Sequence, residues 1–205
     1  MALYLYNLNM KKYKDYLIFS IGLIVFSFGI SFGNRSLFGG NSMAVLVVGI
    51  SKHLPLTYGT CNLIVGIIEM LVGLKYDREN VTAISWISLV LCSYLIDFAN
   101  LFVPVTNNMI TRIIFMFLGI LGFCLGLALE QTAHIGYSNL DVFTFGLKKA
   151  FNIEKYHTIK WIIDIVFISI GFILGSEVSV GTVLLLLFAG ILIERFREFF
   201  QGKLK

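Results

Sequence analysis

The chain of 205 residues is 58% hydrophobic and only 14% charged, with a mean hydropathy of +0.86. That leaves too little polar surface to coat a soluble globule of this size, so the surrounding solvent is lipid. The formal net charge of +4 does not signal nucleic acid, because the basic residues sit at the ends of apolar runs and not on one basic face.

The first apolar run, Tyr16 to Gly33, follows Lys11, Lys12 and Lys14, as the hydrophobic core of a signal peptide would. It lacks a small-residue cleavage site and ends among Phe32, Asn34 and Arg35, so it reads as a permanent span. Spans are expected at 16–33, 56–74, 81–104, 109–129, 157–175 and 178–194, each near the ~20 residues that a bilayer crossing requires. Two further apolar stretches, 40–54 and 137–151, are too short to cross and carry Lys52, His53, Lys148 and Lys149 at their far ends. These read as re-entrant or interfacial half-helices. The expected fold is all-α: one polytopic membrane domain over residues 1–205, with six transmembrane helices.

With the N-terminus inside, six crossings leave thirteen of the sixteen Lys and Arg residues on the cytoplasmic side. Only Arg35, Lys52 and Arg112 fall outside. That asymmetry predicts a multi-pass protein of the cell membrane with both termini cytoplasmic.

Sliding the sequence by 97 residues aligns Gly22 with Gly119, Phe26 with Phe123, Gly29 with Gly126 and Gly39 with Gly136. The same shift aligns Val45 with Val142, Gly49 with Gly146 and Lys52 with Lys149. Each half reads span, half-helix, span, span. Three crossings reverse the side of the membrane, so residues 16–104 and 109–195 are expected to be inverted repeats, an arrangement common in transporters and channels.

Gly39, Gly40, Asn41 and Ser42 open the first half-helix; Gly136, Tyr137, Ser138 and Asn139 open the second, followed by Asp141. Glycine permits a sharp turn into the helix, Asn and Ser accept from free N–H groups, and Ser138 with Asp141 makes a short capping box. Capping alone accounts for these residues. The functional alternative is that the half-helix starts present a polar-ligand site, where Asp141 favours a cation or a proton-coupling role over an anion.

Glu69, Asp97, Arg112, Lys160 and Asp164 fall inside expected spans, where each costs at least ~2.5 kcal/mol at the bilayer centre. Lys160 and Asp164, one turn apart, are expected to pair, with Lys160 reaching toward the cytoplasmic face. Asp97 and Arg112, near the outer ends of adjacent spans, are expected to pair likewise. Glu69 has no partner evident in sequence, and Glu130 lies where the fourth span ends, so both are candidate polar-cavity residues.

His53, His134 and His157 lack metal-ligand spacing and read as interfacial. Cys61, Cys92 and Cys124, each within an apolar run, read as packing residues and not as a disulfide or zinc framework. No phosphate loop, GxSxG elbow or HExxH motif is present, so no enzyme, metal or cofactor is expected.

The stretch GGNSMAVLVVGISKHLPLTYGT, from Gly39 to Thr60, resembles the first repeat of the YczE/YyaS/YitT group of bacterial membrane proteins. The second repeat is similar: Ile135 to Asp141, then Lys160, Asp164 and the Gly181–Thr182 pair. The resemblance covers about residues 16–195 and implies the fold more than an activity, since the group's biochemical function is unsettled. Ala44 stands where YczE-like sequences tend to carry aspartate, which counts against a symmetric acidic site, and Asp164 stands where glutamate is more usual. The chain ends at Lys205 without the soluble C-terminal domain of YitT-type members, which places it nearer the YczE-like branch.

The function expected from the sequence is a transporter or channel for a small polar solute or ion. Its site is expected to be built from Asn41, Ser42, Glu69, Glu130, Ser138, Asn139, Asp141 and Asp164. Two rivals stand beside it. One is an accessory protein binding a partner through Lys148, Lys149 and Lys155; the other is the substrate-binding subunit of a multicomponent uptake system.

Overall fold

The computed structural model describes residues 2–204 apart from His134, and their side chains apart from those of residues 2–12, Tyr156, His157 and Leu204. The expectations placed on His134 and Lys205, and on the side chains of Lys11, Lys12 and His157, lie outside the described residues.

Every regular element among the described residues is helical. The order is α1 (Ala2–Ser36), α2 (Ser42–Ser51), α3 (Tyr58–Tyr76), a 3₁₀ turn (Arg78–Asn80), α4 (Ala83–Phe102), α5 (Met109–Ala133), α6 (Asn139–Ala150), α7 (Tyr156–Ile173) and α8 (Val180–Leu204). Four helices are long and apolar enough to cross a membrane: the Tyr13–Ser36 part of α1, and α3, α4 and α5. Their outward faces carry bare apolar side chains, among them Ile68, Leu91, Phe98, Ile114 and Phe117. Such surface suits hydrocarbon better than water. The molecule is a helical membrane bundle.

α1 and α8 run well past the apolar stretches expected for them. Residues 2–15 contain no Pro or Gly, so nothing stops the helix from continuing into its polar start. Beyond Ile193, α8 goes on through a charged tail in which Glu194 and Arg197 lie one turn apart, 3.9 Å from each other.

α1 and α5 form the central antiparallel pair, and glycine sets how closely they approach. A methyl group at Gly22, Gly119 or Gly122 would lie 2.7–2.9 Å from backbone atoms of the facing helix. Small residues let lipid-embedded backbones meet in this way. Phe26 and Phe123 fill the crossing with ring centroids 5.3 Å apart.

Around this pair, α4 packs on α1 and α8 packs on α5. The two short helices lie between α3 and α7: α2 rests mainly on α7, and α6 rests mainly on α3. Glycines again form the seats, Gly49 against Gly171 and Gly146 against Gly73. Both short helices contribute to one apolar cluster, with Met43, Leu46 and Val47 from α2 meeting Ile159, Ile163 and Phe167 of α7 and Leu140 and Phe143 of α6. Cys61, Cys92 and Cys124 are buried and unbridged, as packing residues should be.

Two sequence expectations need correction. Asp97 and Arg112 do not pair. The Asp97 carboxylate accepts from the Gly59 N–H at 2.8 Å and from the Thr57 hydroxyl, closing the first turn of α3. Arg112 donates instead to the carbonyls of Ser36, at 2.9 Å, and Leu37, at 3.4 Å, which end α1. Each charge thus serves a helix terminus that would otherwise expose unsatisfied backbone groups. Glycine also does not play the same part before both half-helices: Gly39 takes a φ of +82°, whereas Gly136 keeps an ordinary conformation against Thr82 and Ile84.

Candidate functional site

Both half-helices begin with side-chain caps. The Asn41 carboxamide accepts from the Ala44 N–H at 2.7 Å, and the Ser138 hydroxyl accepts from the Asp141 N–H at 3.2 Å. The capping reading of these two residues is therefore correct. The residue after each cap reaches into the opposite half of the chain: Ser42 donates to the carboxylate of Asp164 on α7, and Asn139 donates its amide to Glu69 on α3. Both acids sit in the middle turns of their helices. The starts of α2 and α6 are thereby held at the centres of α7 and α3.

Around the start of α6 the charged groups form a chain of neighbours. Glu130 of α5 and Asp141 of α6 act electrostatically on each other, Asp141 acts on Glu69, and so does Lys160 of α7. Lys160 in turn pairs with Asp164, the expected i,i+4 partner. All four acids are at most 9% exposed. Glu69 is only 1% exposed, and its second oxygen, Oε1, has no hydrogen-bond donor among the described residues; Oε1 of Glu130 is likewise shielded and unmatched. Buried polar atoms are normally satisfied, so an unmatched oxygen on each of these two acids stands out.

The start of α2 is built differently. A cleft of about 110 Å³ lies beside it, lined by Asn34, Gly39, Gly40, Ala44, Lys52 and Glu177 among others. A narrower pocket of about 20 Å³ shares Asn34, Gly39, Gly40 and Ala44 and reaches Asn41, Gly119 and Phe123. Asn34 Nδ2 lies beside the buried Tyr58 hydroxyl without a well-aligned hydrogen bond, and the buried hydroxyl of Thr182, which faces Gly39, is also unmatched among the described residues.

All eight residues singled out from the sequence therefore belong to the two half-helix starts or to the acids that face them. Lys160 pairs with Asp164 as expected and also acts on Glu69, and the cleft residues Asn34 and Thr182 were not anticipated. A polar Asn one step beyond the last glycine of the first span is the sequence signal that could have found Asn34.

The far ends of the half-helices are anchored by their lysines. Lys52 donates to the Gly175 carbonyl at 2.6 Å, beside His53 against Leu174 O at 3.1 Å. Lys149 pairs with Asp77, which caps α3, and the hydrogen bond it donates to that carboxylate holds its ammonium above the ordinary lysine range. This occupies one of the three lysines offered above as a partner-binding face.

The chain is 22% identical over 186 residues to the uncharacterized protein YyaS of Bacillus subtilis (strain 168), covering 88% of this chain and 91% of that protein. No protein of known structure matches it. Residues 13–198, from the first apolar helix into the last, match a family of unknown function, DUF6198. The chain belongs to that family and is YyaS-like, in keeping with the resemblance carried by its two half-helix motifs.

Proposed function

We propose that this protein is a transporter for a small polar solute or ion, without enzymatic activity, in the cell membrane with both termini cytoplasmic. The observation that carries the reading is the pair of reciprocal contacts, Ser42 to Asp164 and Asn139 to Glu69. They hold two helix N-termini and two buried acids at the centre of the bundle. Half-helices whose starts meet near the midplane are how many secondary transporters build a solute site, because the free N–H groups and side-chain caps are the polar groups available there.

Six spans arranged as two inverted repeats are part of the same proposal. The packing supports it: exchanging each element for its partner 97 residues away turns α2 on α7 into α6 on α3, and α1 on α4 into α5 on α8. The residue pairs exchange too. Gly49 on Gly171 resembles Gly146 on Gly73, the second glycine of each pair lying one residue out of the 97-residue register, and Lys52 at the end of α7 corresponds to Lys149 at the end of α3. The thirteen-to-three distribution of Lys and Arg supports the orientation.

The test is solute uptake by the purified protein in liposomes, after a screen for solutes that raise its unfolding temperature. A solute should be taken up by the wild type and at least tenfold more slowly by Asp164→Asn. Absence of both stabilisation and flux across a broad panel of polar solutes overturns the transporter reading. Stoichiometric capture of a membrane-protein partner, lost on substitution of Lys148 and Lys155, would replace it with the accessory role.

A further inference from the structure

Resting on the transporter reading and naming a class of solute for it, we infer that the cleft beside α2 receives a small uncharged molecule, held by an oxygen acceptor against the Asn34 amide. The cleft follows one face of a helix. Ala44, Val45, Val48 and Lys52 recur at helical spacing along α2 and its C-cap and form one wall; Asn34 of α1, the turn at Gly39 and Gly40, and Glu177 of the segment between α7 and α8 complete it. The narrower hollow shares Asn34, Gly39 and Gly40 and continues past Asn41 to Gly119 and Phe123 of α5. Together they lead from the charged end of α2 to the crossing of α1 and α5.

The polar groups here are short of acceptors. An Asn amide carries two hydrogens to donate, and the Tyr58 hydroxyl beside Asn34 Nδ2 can take at most one of them. That hydroxyl is itself shielded and unmatched among the described residues, so it too has a hydrogen to give. Against Gly39 lies the hydroxyl of Thr182, a residue 2% exposed, again unmatched. At the start of α2 the Asn41 side chain takes the Ala44 N–H, while helix geometry leaves the N–H groups of Ser42 and Met43 without intrahelical acceptors. Buried donors are normally satisfied, and a solute offering oxygen lone pairs meets the deficit.

Charge decides which acceptor fits. The cleft is lined by one cation and one anion, Lys52 and Glu177, and Lys52 is bonded to the Gly175 carbonyl. Arg35 and Arg112 are likewise bonded to carbonyls, the first to that of Asn100 and the second to those of Ser36 and Leu37. A carboxylate seated at Asn34 would lack a free countercharge, and a cation would face donors, so either would be buried at a cost that an uncharged carbonyl or hydroxyl avoids. The remaining wall, Leu37, Ala44, Val45 and Val48, is apolar, as in small-molecule sites where a few polar groups fix orientation. The volume of about 110 Å³ compares with about 10–15 Å³ for one water, which suits a solute of a few heavy atoms. Gly33 lines both hollows, and a Cβ there would meet no atom within 4 Å, so packing does not fill the space at that point.

The experiment is saturation-transfer NMR on the full chain in lipid nanodiscs, against empty nanodiscs, with four probes of similar size: acetamide, ethylene glycol, acetate and ethylammonium. Acetamide or ethylene glycol should give a saturable signal in the millimolar range, the first marking a carbonyl acceptor and the second a hydroxyl one; acetate and ethylammonium should bind at least tenfold more weakly. Asn34→Leu, similar in size but without the amide, should raise the half-saturating concentration at least tenfold, and so should Gly33→Leu, which fills the open space; Glu198→Gln on the exposed tail of α8 should change nothing. If Asn34→Leu does not assemble, Gly33→Leu carries the test. Tighter binding of either charged probe, no saturable signal from either neutral one, or a signal unaltered by both leucine substitutions overturns the inference. Flux of a charged solute in liposomes without neutral-probe binding overturns it while leaving the transporter reading intact. Neutral-probe binding at Asn34 without flux of any solute supports it and overturns the transporter reading.

Discussion

The starts of α2 and α6 occupy matching places in the bundle, yet one is open and nearly neutral while the other is closed and charged. Ser42 meets an acid already engaged by Lys160, and the turn before it borders a cleft lined by Asn34, Gly39 and Gly40. Asn139 meets Glu69, a buried acid to which it is the one donor found among the described residues, with Asp141 and Glu130 close by. The difference traces to a few positions. Asp141 corresponds to Ala44 under the 97-residue shift, and Glu130 corresponds to Gly33, which lines the cleft. The two half-helices thus sit on similar glycine seats while one start borders a cleft and the other a group of buried acids.

The comparison is broken most severely by removing the donor on the charged side. Asn139→Ala leaves both oxygens of Glu69 without a donor, and an unsatisfied buried charged group costs about 3 kcal/mol. Ser42→Ala leaves Asp164 its ion pair with Lys160 and should cost about 1 kcal/mol. Unfolding midpoints of the two variants in detergent, followed by the fluorescence of Trp86 and Trp161, measure the gap. Equal losses would mean that the two starts are energetically alike.

The glycine seats separate the halves by a smaller amount. A methyl group at Gly171 would fall 2.5 Å from the Val45 carbonyl oxygen, which is backbone and cannot yield without moving α2. At Gly73 the obstacle is mainly the side chain of Val142. Gly171→Ala should therefore destabilise by about 2 kcal/mol and Gly73→Ala by about 1 kcal/mol, an overpacking effect in both cases. Unfolding midpoints again give the comparison, and Gly171→Ala should also widen the cleft beside α2.

How much of this was legible beforehand follows from the range of the interactions. Helix positions, caps and the Lys160–Asp164 pair are local, so hydropathy and one-turn spacing reach them. The glycine seats of the two short helices, Gly49 and Gly146, were legible as identities 97 residues apart. The bond from Asn139 to Glu69 spans 70 residues and exists only once α6 lies on α3, so Glu69 showed no partner in the sequence. Pairing Asp97 with Arg112 failed because nearness in sequence suggested a bond between two groups that each serve a helix end. Gly136 misled for a related reason: glycine permits a left-handed turn without requiring one, and here its small size serves packing on α4.

A still smaller difference lies at the far ends, where Lys52 bonds a carbonyl and Lys149 an acid. The Asp77 hydrogen bond raises the Lys149 ammonium above its unfolded-state value. A raised value means that the contribution is fully present below the unfolded lysine value, about 10.4, and is lost as pH rises through the folded one. Asp77→Asn should therefore lower the unfolding midpoint by a constant amount from pH 7 to about pH 10 and converge on the wild type above that range. Lys52→Ala should show no such acid partner's signature. Because Lys149 is half exposed, the whole effect is small.

The least costly substitution is the most discriminating for function. Asn34 lines both hollows beside α2 and makes at most one weak bond there, to the neighbouring Tyr58 hydroxyl, so Asn34→Ala should change stability by less than about 1 kcal/mol. It therefore contrasts with Asn139→Ala, which removes a bond that holds the charged site together. If the cleft is where a solute approaches the bundle centre, Asn34→Ala should weaken uptake several-fold in liposomes while the unfolding midpoint stays close to the wild-type value. Unchanged uptake would assign the unmatched amide to packing alone and move the solute path away from α2, leaving the acids around α6 as the one polar centre on which transport can turn.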